Sequence, residues 1–320
     1  MYSTGASLTE SCCATTGDTA GFAEPALLGE AVVAHDVFMR SCHALPPIVL
    51  AAATLLSMSL SGCAQNGAVS SLALPPTAGT FDYQLGEPYE IEGGIDVVAR
   101  DSSAAPEPGA YSICYVNGFQ TQPGESAEWL AERPDLLLQD SSGEPVIDPD
   151  WPDEYVLDPS TSEQRDGILE VISPIIAGCA ESGFDAVEID NLDTFTRFDG
   201  IDEAGALDLA RAYVDAAHAS GLAIGQKNAA ELAERGRDEL GFDFAVTEEC
   251  SAYGECASYS RAYGERVLQI EYIDNLPAPG ADVQISTDAV CGDPDRAPLT
   301  VIRDRDLTAP GSDLYHREQC

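Results

Sequence analysis

Strand-like and helix-like segments alternate about eight times across residues 80–320, and this alternation predicts a parallel sheet closed into a barrel, the (β/α)8 TIM barrel. The count of about eight favours closure over an open sheet. The polar and acidic residues of the strand segments gather at their C-terminal ends, the working face of such a barrel. An open doubly wound sheet is the runner-up, weakened because nothing resembling G-x-G-x-x-G or G-x-x-x-x-G-K follows the first strand.

The elements follow in order. Thr80–Leu85 sets Phe81, Tyr83 and Leu85 on one face and Asp82 and Gln84 on the other, which predicts a first strand with a polar inner face. Residues 95–99 and 111–117 are the second and third strands, bracketed by Gly and Pro. Residues 120–160, with Trp129, Trp151, several prolines and many acids, predict a short helix and a long ordered loop. Ser160–Glu163 has the form of a capping box, and Ile168, Ile172, Ile176 and Cys179 recur at helical spacing up to Gly183, with a kink expected at Pro174. The fourth strand then alternates apolar and acidic residues, placing Val187 and Ile189 on one face and Glu188 and Asp190 on the other. Two like charges on one face of a strand repel each other, so they need either full solvation or a function. A helix over 202–219 ends at Gly221. Strands five to seven fall at 222–228, 242–247 and 267–272, and the eighth at 300–303 or 284–287.

The N-terminal part has a different character. Residues 1–38 are rich in small residues and lack periodicity, after which Arg40 precedes a mostly apolar run, 44–60, that ends in Leu60-Ser61-Gly62-Cys63. The run is short and broken by Pro46 and Pro47. It therefore predicts a secretory signal and not a spanning helix, and its ending resembles a bacterial lipobox with Cys63 as the acylated residue. Met39 is the expected start of that signal, so residues 1–62 are expected to be absent from the mature chain. Residues 63–79 would then be the lipidated Cys and a linker, and 80–320 the barrel domain. Loss of 1–62 removes five acids and one base, leaving 258 residues of net charge −36 in place of −40. Such a charge excludes nucleic acid as a partner and limits membrane contact to the lipid.

Six cysteines remain after Cys63: Cys114, Cys179, Cys250, Cys256, Cys291 and Cys320. An even count in an exported chain predicts disulfides, with the short Cys250–Cys256 loop as one of them. No C-x-x-C is present, so no metal site is expected.

The strand ends supply the candidate site: Asp82 and Gln84, Asn117, Glu188, Asp190 and Asn191, Lys227 and Asn228, Glu248 and Glu249, Glu271 and Tyr272. Only His218 and His316 remain in the mature chain. His218 falls in the last turn of a helix, where a contact with the helix dipole is expected. Without a suitable histidine, proton transfer falls to carboxylates, and a pair of them on opposing strands is the apparatus of glycoside hydrolysis.

The runs FDAVEIDNLDTF (184–195), AHASGLAIGQKN (217–228), FDFAVTEECSAYGEC (242–256) and VLQIEY (267–272) resemble glycoside hydrolase family 114, the endo-α-1,4-polygalactosaminidases. FDYQL (81–85) and YVNGFQTQP (115–123) add to the likeness. The resemblance implies a TIM-barrel enzyme acting without cofactor on a galactosamine-rich, cationic polysaccharide, with Asp190 and Glu248 as the catalytic pair. By analogy with barrel glycosidases, Asp190 is the nucleophile and Glu248 the acid/base. Glu188, Lys227 and Glu271 look family-like, as substrate contacts or tuners of the acid. Two departures stand out. Thr247-Glu248-Glu249-Cys250 replaces the family's Asn-Glu-Gln-Cys, and strict alternation from Phe244 and Val246 points Glu249 inward in place of Glu248. The alternatives are a carbohydrate-binding lipoprotein without turnover and a glycosidase for another α-linked sugar.

Overall fold

The computed structural model describes residues 72–275 and 286–320. The leader, Cys63 and the start of the linker lie outside them. Eight strands pair in parallel in sequence order: β1 Phe81–Gln84, β2 Val97–Asp101, β3 Tyr111–Asn117, β4 Ala186–Asp190, β5 Ala223–Lys227, β6 Phe244–Glu248, β7 Val267–Tyr272 and β8 Leu299–Arg303. A ninth, β9 Arg317–Gln319, runs antiparallel to β8. Its side chains occupy the seam beside β1: Gln319 Oε1 accepts from Phe81 N at 3.0 Å, and Arg317 Nη2 donates to Phe81 O at 2.8 Å. Backbone groups of β1 that would otherwise lack partners are satisfied in this way. Of the two candidate ranges for the eighth strand, 300–303 is strand. Residues 284–285 lie outside the described residues, and Thr287 begins a helix.

Between the strands lie α1 Ser126–Glu132, α2 Ser162–Ser182, α3 Thr194–Arg197, α4 Glu203–Ala219, α5 Ala233–Arg235, α6 Cys250–Tyr253, α7 Cys256–Tyr263 and α8 Thr287–Gly292. The β1–β2 and β2–β3 connections carry no helix, so strand and helix alternate only from β3 onward. The capping box of α2 sits one residue later than expected. Thr161 Oγ1 accepts from Gln164 N, and Gln164 Oε1 accepts from Thr161 N, because Gln serves at the third helical position as well as Glu does. The helix continues through Pro174 and ends at Gly183, whose φ of 95° suits a residue without Cβ.

Two cores result. One fills the barrel and includes Phe81, Tyr83, Ile113, Phe244, Val246, Leu268 and Ile270. The other lies between strands and helices and includes Val116, Val187, Ile189, Ile224 and Ala245. Leu222 and Ile224 face the helices, whereas Val246, Leu268 and Ile270 point into the barrel. The interior of a closed barrel is itself packed with side chains, so both faces of a strand are apolar and alternation alone does not tell them apart. Disulfides join Cys114 of β3 to Cys179 of α2, Cys250 to Cys256, and Cys291 of α8 to Cys320.

Candidate active site

The C-terminal strand ends open into a cleft of about 850 Å³. β4, β5 and β6 end side by side there. Counting inward-facing positions from Ala186, Ala223 and Phe244 brings Asp190, Lys227 and Glu248 to the same rim. Phe244 and Val246 face the barrel axis, so Glu248 shares their face, which reverses the alternation argument for Glu249. Glu249 still reaches the cleft, because it sits at φ 59°, beyond the strand, where the chain turns into α6. Asn191 and Asn228 also have positive φ, at 66° and 51°. Three adjacent strands thus end in a backbone conformation uncommon for side chains with a Cβ, a feature that gathers at functional sites.

Lys227, 2% exposed, joins the two candidate catalytic acids. Its Nζ lies 3.3 Å from Asp190 Oδ2 and 2.8 Å from Glu248 Oε2. The Tyr115 hydroxyl donates to Asp190 Oδ2 at 2.8 Å, and Asn191 N donates to Asp190 Oδ1 at 2.8 Å. Glu248 Oε2 accepts from Asn228 Nδ2 at 3.0 Å, Asn228 Oδ1 accepts from Glu248 N at 2.8 Å, and the Tyr272 hydroxyl donates to Glu248 Oε1. Burial pushes the Glu248 carboxyl up, but the Lys227 charge and the bonds from Lys227, Tyr272 and Asn228 outweigh it and hold Glu248 below the usual carboxylate range. Burial likewise works against the Lys227 charge, and Asp190, Glu248 and Glu188 together raise its pKa despite that.

Beneath this layer Glu188 is fully buried, with Oε1 accepting from the Tyr83 hydroxyl at 2.8 Å. Burial pushes it up to about 8 against the pull of Lys227, so it is neutral at neutral pH. It supports the site from below and does not line the cleft. Asn117 is also one layer back, bonded to Asn191 and Glu154. Glu271 accepts from Ser251 N and Gln269 Nε2, away from the cleft, and burial raises it to about 7. Asp82 and Gln84 lie elsewhere, contrary to the expected polar inner face of β1. Phe81 and Tyr83 take the interior. Asp82, fully buried, pairs with Arg303 at 2.9 Å, while Gln84 bonds Asp82 and Arg100. No helix follows β1, so this polar outer face is covered by the Arg303–Asp82–Arg317 network.

Other cleft residues escaped the sequence reading. Tyr115 alternates with Ile113 on β3, and counting from Ile113 would have found it. Arg197 and Arg305 add positive charge beside Lys227. Arg305 pairs with Glu249 at 2.8 Å and stacks over Tyr272, and Arg197 pairs with Asp148 at 2.7 Å. Glu154 also lines the cleft, raised to about 7 by burial and by the charges of Asp190, Asp153 and Asp148, against a bond from Asn117. His218 pairs with Asp243 at 2.9 Å, just ahead of β5 and β6 and so at the end of the strands away from this chemistry. Among the described residues, Cys250, Cys256 and Glu271 come close enough to suggest a metal, but the two sulfurs are bonded to each other and only one ligand remains.

A parallel barrel with two carboxylates converging over an open cleft has the form of a barrel glycoside hydrolase. The chain belongs to glycoside-hydrolase family GH114, whose model matches residues 63–319. Two solved structures share the fold. Aspergillus fumigatus Ega3 in complex with galactosamine is 20% identical, with TM-score 0.59 over 79% of this chain and 100% of that one. The glycoside hydrolase domain of PelA from Pseudomonas aeruginosa is 13% identical, with TM-score 0.52 over 73% of this chain and 97% of that one. No curated protein matches the chain.

Proposed function

We propose that the protein cleaves α-1,4-linked, galactosamine-rich polysaccharide internally, with Asp190 as nucleophile and Glu248 as acid/base. The observation that carries this reading is the Lys227 bridge. One ammonium touches an oxygen of each carboxylate, so those two oxygens are no farther apart than the sum of 3.3 and 2.8 Å. That closeness lets both carboxylates flank one glycosidic bond, and the analogy with barrel glycosidases makes the route the retaining one. In that route Asp190 attacks the anomeric carbon while Glu248 protonates the departing glycosidic oxygen. Glu248 then removes a proton from the water that releases the glycosyl ester. Esterification cancels the charge of Asp190 and leaves Lys227 to Glu248 alone, which favours the ionised Glu248 that the second step needs.

Two features support the substrate. A cleft of about 850 Å³ lies toward the upper end of the roughly 300–1,000 Å³ of ligand pockets and holds more than one sugar ring, as internal cleavage requires. Eight carboxyls line it against three bases, and each base is already ion-paired, so the net field attracts a cationic amino sugar. The galactosamine bound in Ega3 is in keeping with this. The proposed setting is outside a bacterial cell, anchored through an acylated Cys63, the residue at which the family match begins. A Cys63→Ser protein that stays in the membrane fraction would contradict the anchor.

The test is mass spectrometry of products from acetylated and de-N-acetylated galactosaminan. A ladder of oligosaccharides is expected from the de-N-acetylated polymer. Release of monosaccharide alone would overturn internal cleavage, and absence of products would favour a binding protein without turnover.

A further inference from the structure

The connection from β3 to α2 contains a short hairpin whose tip reaches the cleft. Ile147 and Tyr155 bridge across its base, Asp148 N donates to Glu154 O at 3.0 Å, and Glu154 N donates to Trp151 O at 2.9 Å. The tip is held firmly. Asp148, with its side chain 1% exposed, accepts from Gln120 Nε2 at 2.7 Å, from Asp150 N at 3.0 Å and from Arg197 Nη1 at 2.7 Å. Arg197 continues to Asn191 Oδ1 at 2.7 Å and Asp193 Oδ1 at 3.1 Å, which ties the tip to the end of the strand carrying Asp190.

Two side chains on this pinned tip face the cleft and take no part in the bond-breaking chemistry. Trp151 is 52% exposed, although it sits on a turn with fixed geometry. A large aromatic kept in water by its own scaffold loses the stabilisation of burial, and it commonly marks a binding surface. Glu154 is the reverse case. It is 5% exposed, its Oε2 accepts from Asn117 Nδ2 at 2.8 Å, and its Oε1 has no hydrogen bond from the described residues. A nearly buried carboxyl at a cleft wall with one oxygen unengaged is set for a donor arriving from the cleft.

We propose that Trp151 and Glu154 form a sugar subsite beside the catalytic pair, in which the indole stacks on the C–H face of a galactosamine ring and the carboxylate receives its ammonium. The subsite rests on the substrate reading above and adds to it a means of discrimination. An acetylated unit still offers the C–H face to Trp151 but brings no charge to Glu154. The hairpin therefore selects de-N-acetylated units at a position away from the bond that breaks, and specificity for the charged sugar is separated from turnover.

The chain contains two tryptophans, and the other, Trp129, is 3% exposed, so ligand-dependent indole fluorescence reports Trp151. The test titrates short α-1,4-oligogalactosamines and their N-acetylated counterparts into the full chain carrying Asp190→Asn to prevent turnover, with calorimetry in parallel. Expected is a saturable fluorescence change with both ligands. It should disappear in Trp151→Phe, and affinity for both should fall by up to roughly tenfold in Trp151→Ala. Glu154→Gln should weaken the amine ligand and leave the acetylated one unchanged. Calorimetric binding with no fluorescence change and no effect of Trp151→Ala would overturn the subsite while the substrate reading stands. Equal weakening of both ligands by Glu154→Gln would overturn the charge-reading role. Absence of binding of either ligand by calorimetry would instead sink the substrate reading on which the proposal rests.

Discussion

At the scale of single residues, the charge of Lys227 sets the pH behaviour. In the proposed route the first step needs protonated Glu248, yet Lys227, Tyr272 and Asn228 together hold that carboxyl below its usual range. The competent fraction at neutral pH is therefore small and grows by about tenfold for each unit of acidification across the neutral range. Accordingly kcat/KM should rise as pH falls from neutrality, and Lys227→Met should move the optimum upward. A flat profile through neutral pH in the unmodified enzyme would contradict Glu248 as the acid. Glu188 affects stability in place of rate. Burial raises its folded-state pKa to about 8, well above the unfolded value, so the folded state holds the extra proton between the two. The stability it contributes is present at low pH and is lost as pH rises from the ordinary carboxylate range through about 8. Glu188→Gln should flatten that part of the pH–stability curve in urea melts.

At the scale of elements, the disulfides have different duties. Cys114–Cys179 closes a loop of 65 residues between β3 and α2, whereas Cys250–Cys256 spans 6 residues in the turn after Glu249. Chain entropy assigns about 4 kcal/mol to the first and about 2 kcal/mol to the second. Replacing the first pair with serine should lower the melting temperature more. Replacing the second should reduce activity out of proportion to its effect on melting, since it holds the turn beside Glu248. The elements also show what the sequence reveals. β4 was legible because acids alternate with Val187 and Ile189, and α2 because of its apolar period and its cap. Alternation alone turns the wrong face of β1 and β6 inward for one physical reason: Phe81, Tyr83, Phe244 and Val246 fill the barrel, and an apolar interior looks the same as an apolar helix-facing side. Asp82 was placed in the site because the C-terminal residues that pair with it, Arg303 and Arg317, lie more than two hundred positions away in the chain. The hairpin carrying Trp151 and Glu154 could not be read at all. Its bridges are isolated pairs without period, and the contacts that bring it to the end of β4, Asp148 with Arg197 and Glu154 with Asn117, join residues distant in the chain.

At the scale of the whole molecule, 55 acids against 15 bases create a field that extends beyond the cleft. If that field gathers a cationic polymer, KM for de-N-acetylated galactosaminan should rise as the Debye length falls from about 10 Å at 0.1 M salt to about 3 Å at 1 M, while the acetylated polymer responds far less. Equal salt dependence of the two would leave the charge serving solubility alone. Asp190 and Glu248 are the pair proposed to break the glycosidic bond, while the neighbouring Glu249 is engaged by Arg305. The direct measurement is the turnover of Asp190→Asn, Glu248→Gln and Glu249→Gln on de-N-acetylated galactosaminan, each checked for an unchanged melting profile. Losses of at least about 10²–10⁴-fold are expected for the first two and a mild effect for the third. Abolished turnover in Glu249→Gln with activity retained in Glu248→Gln would contradict the proposed pair.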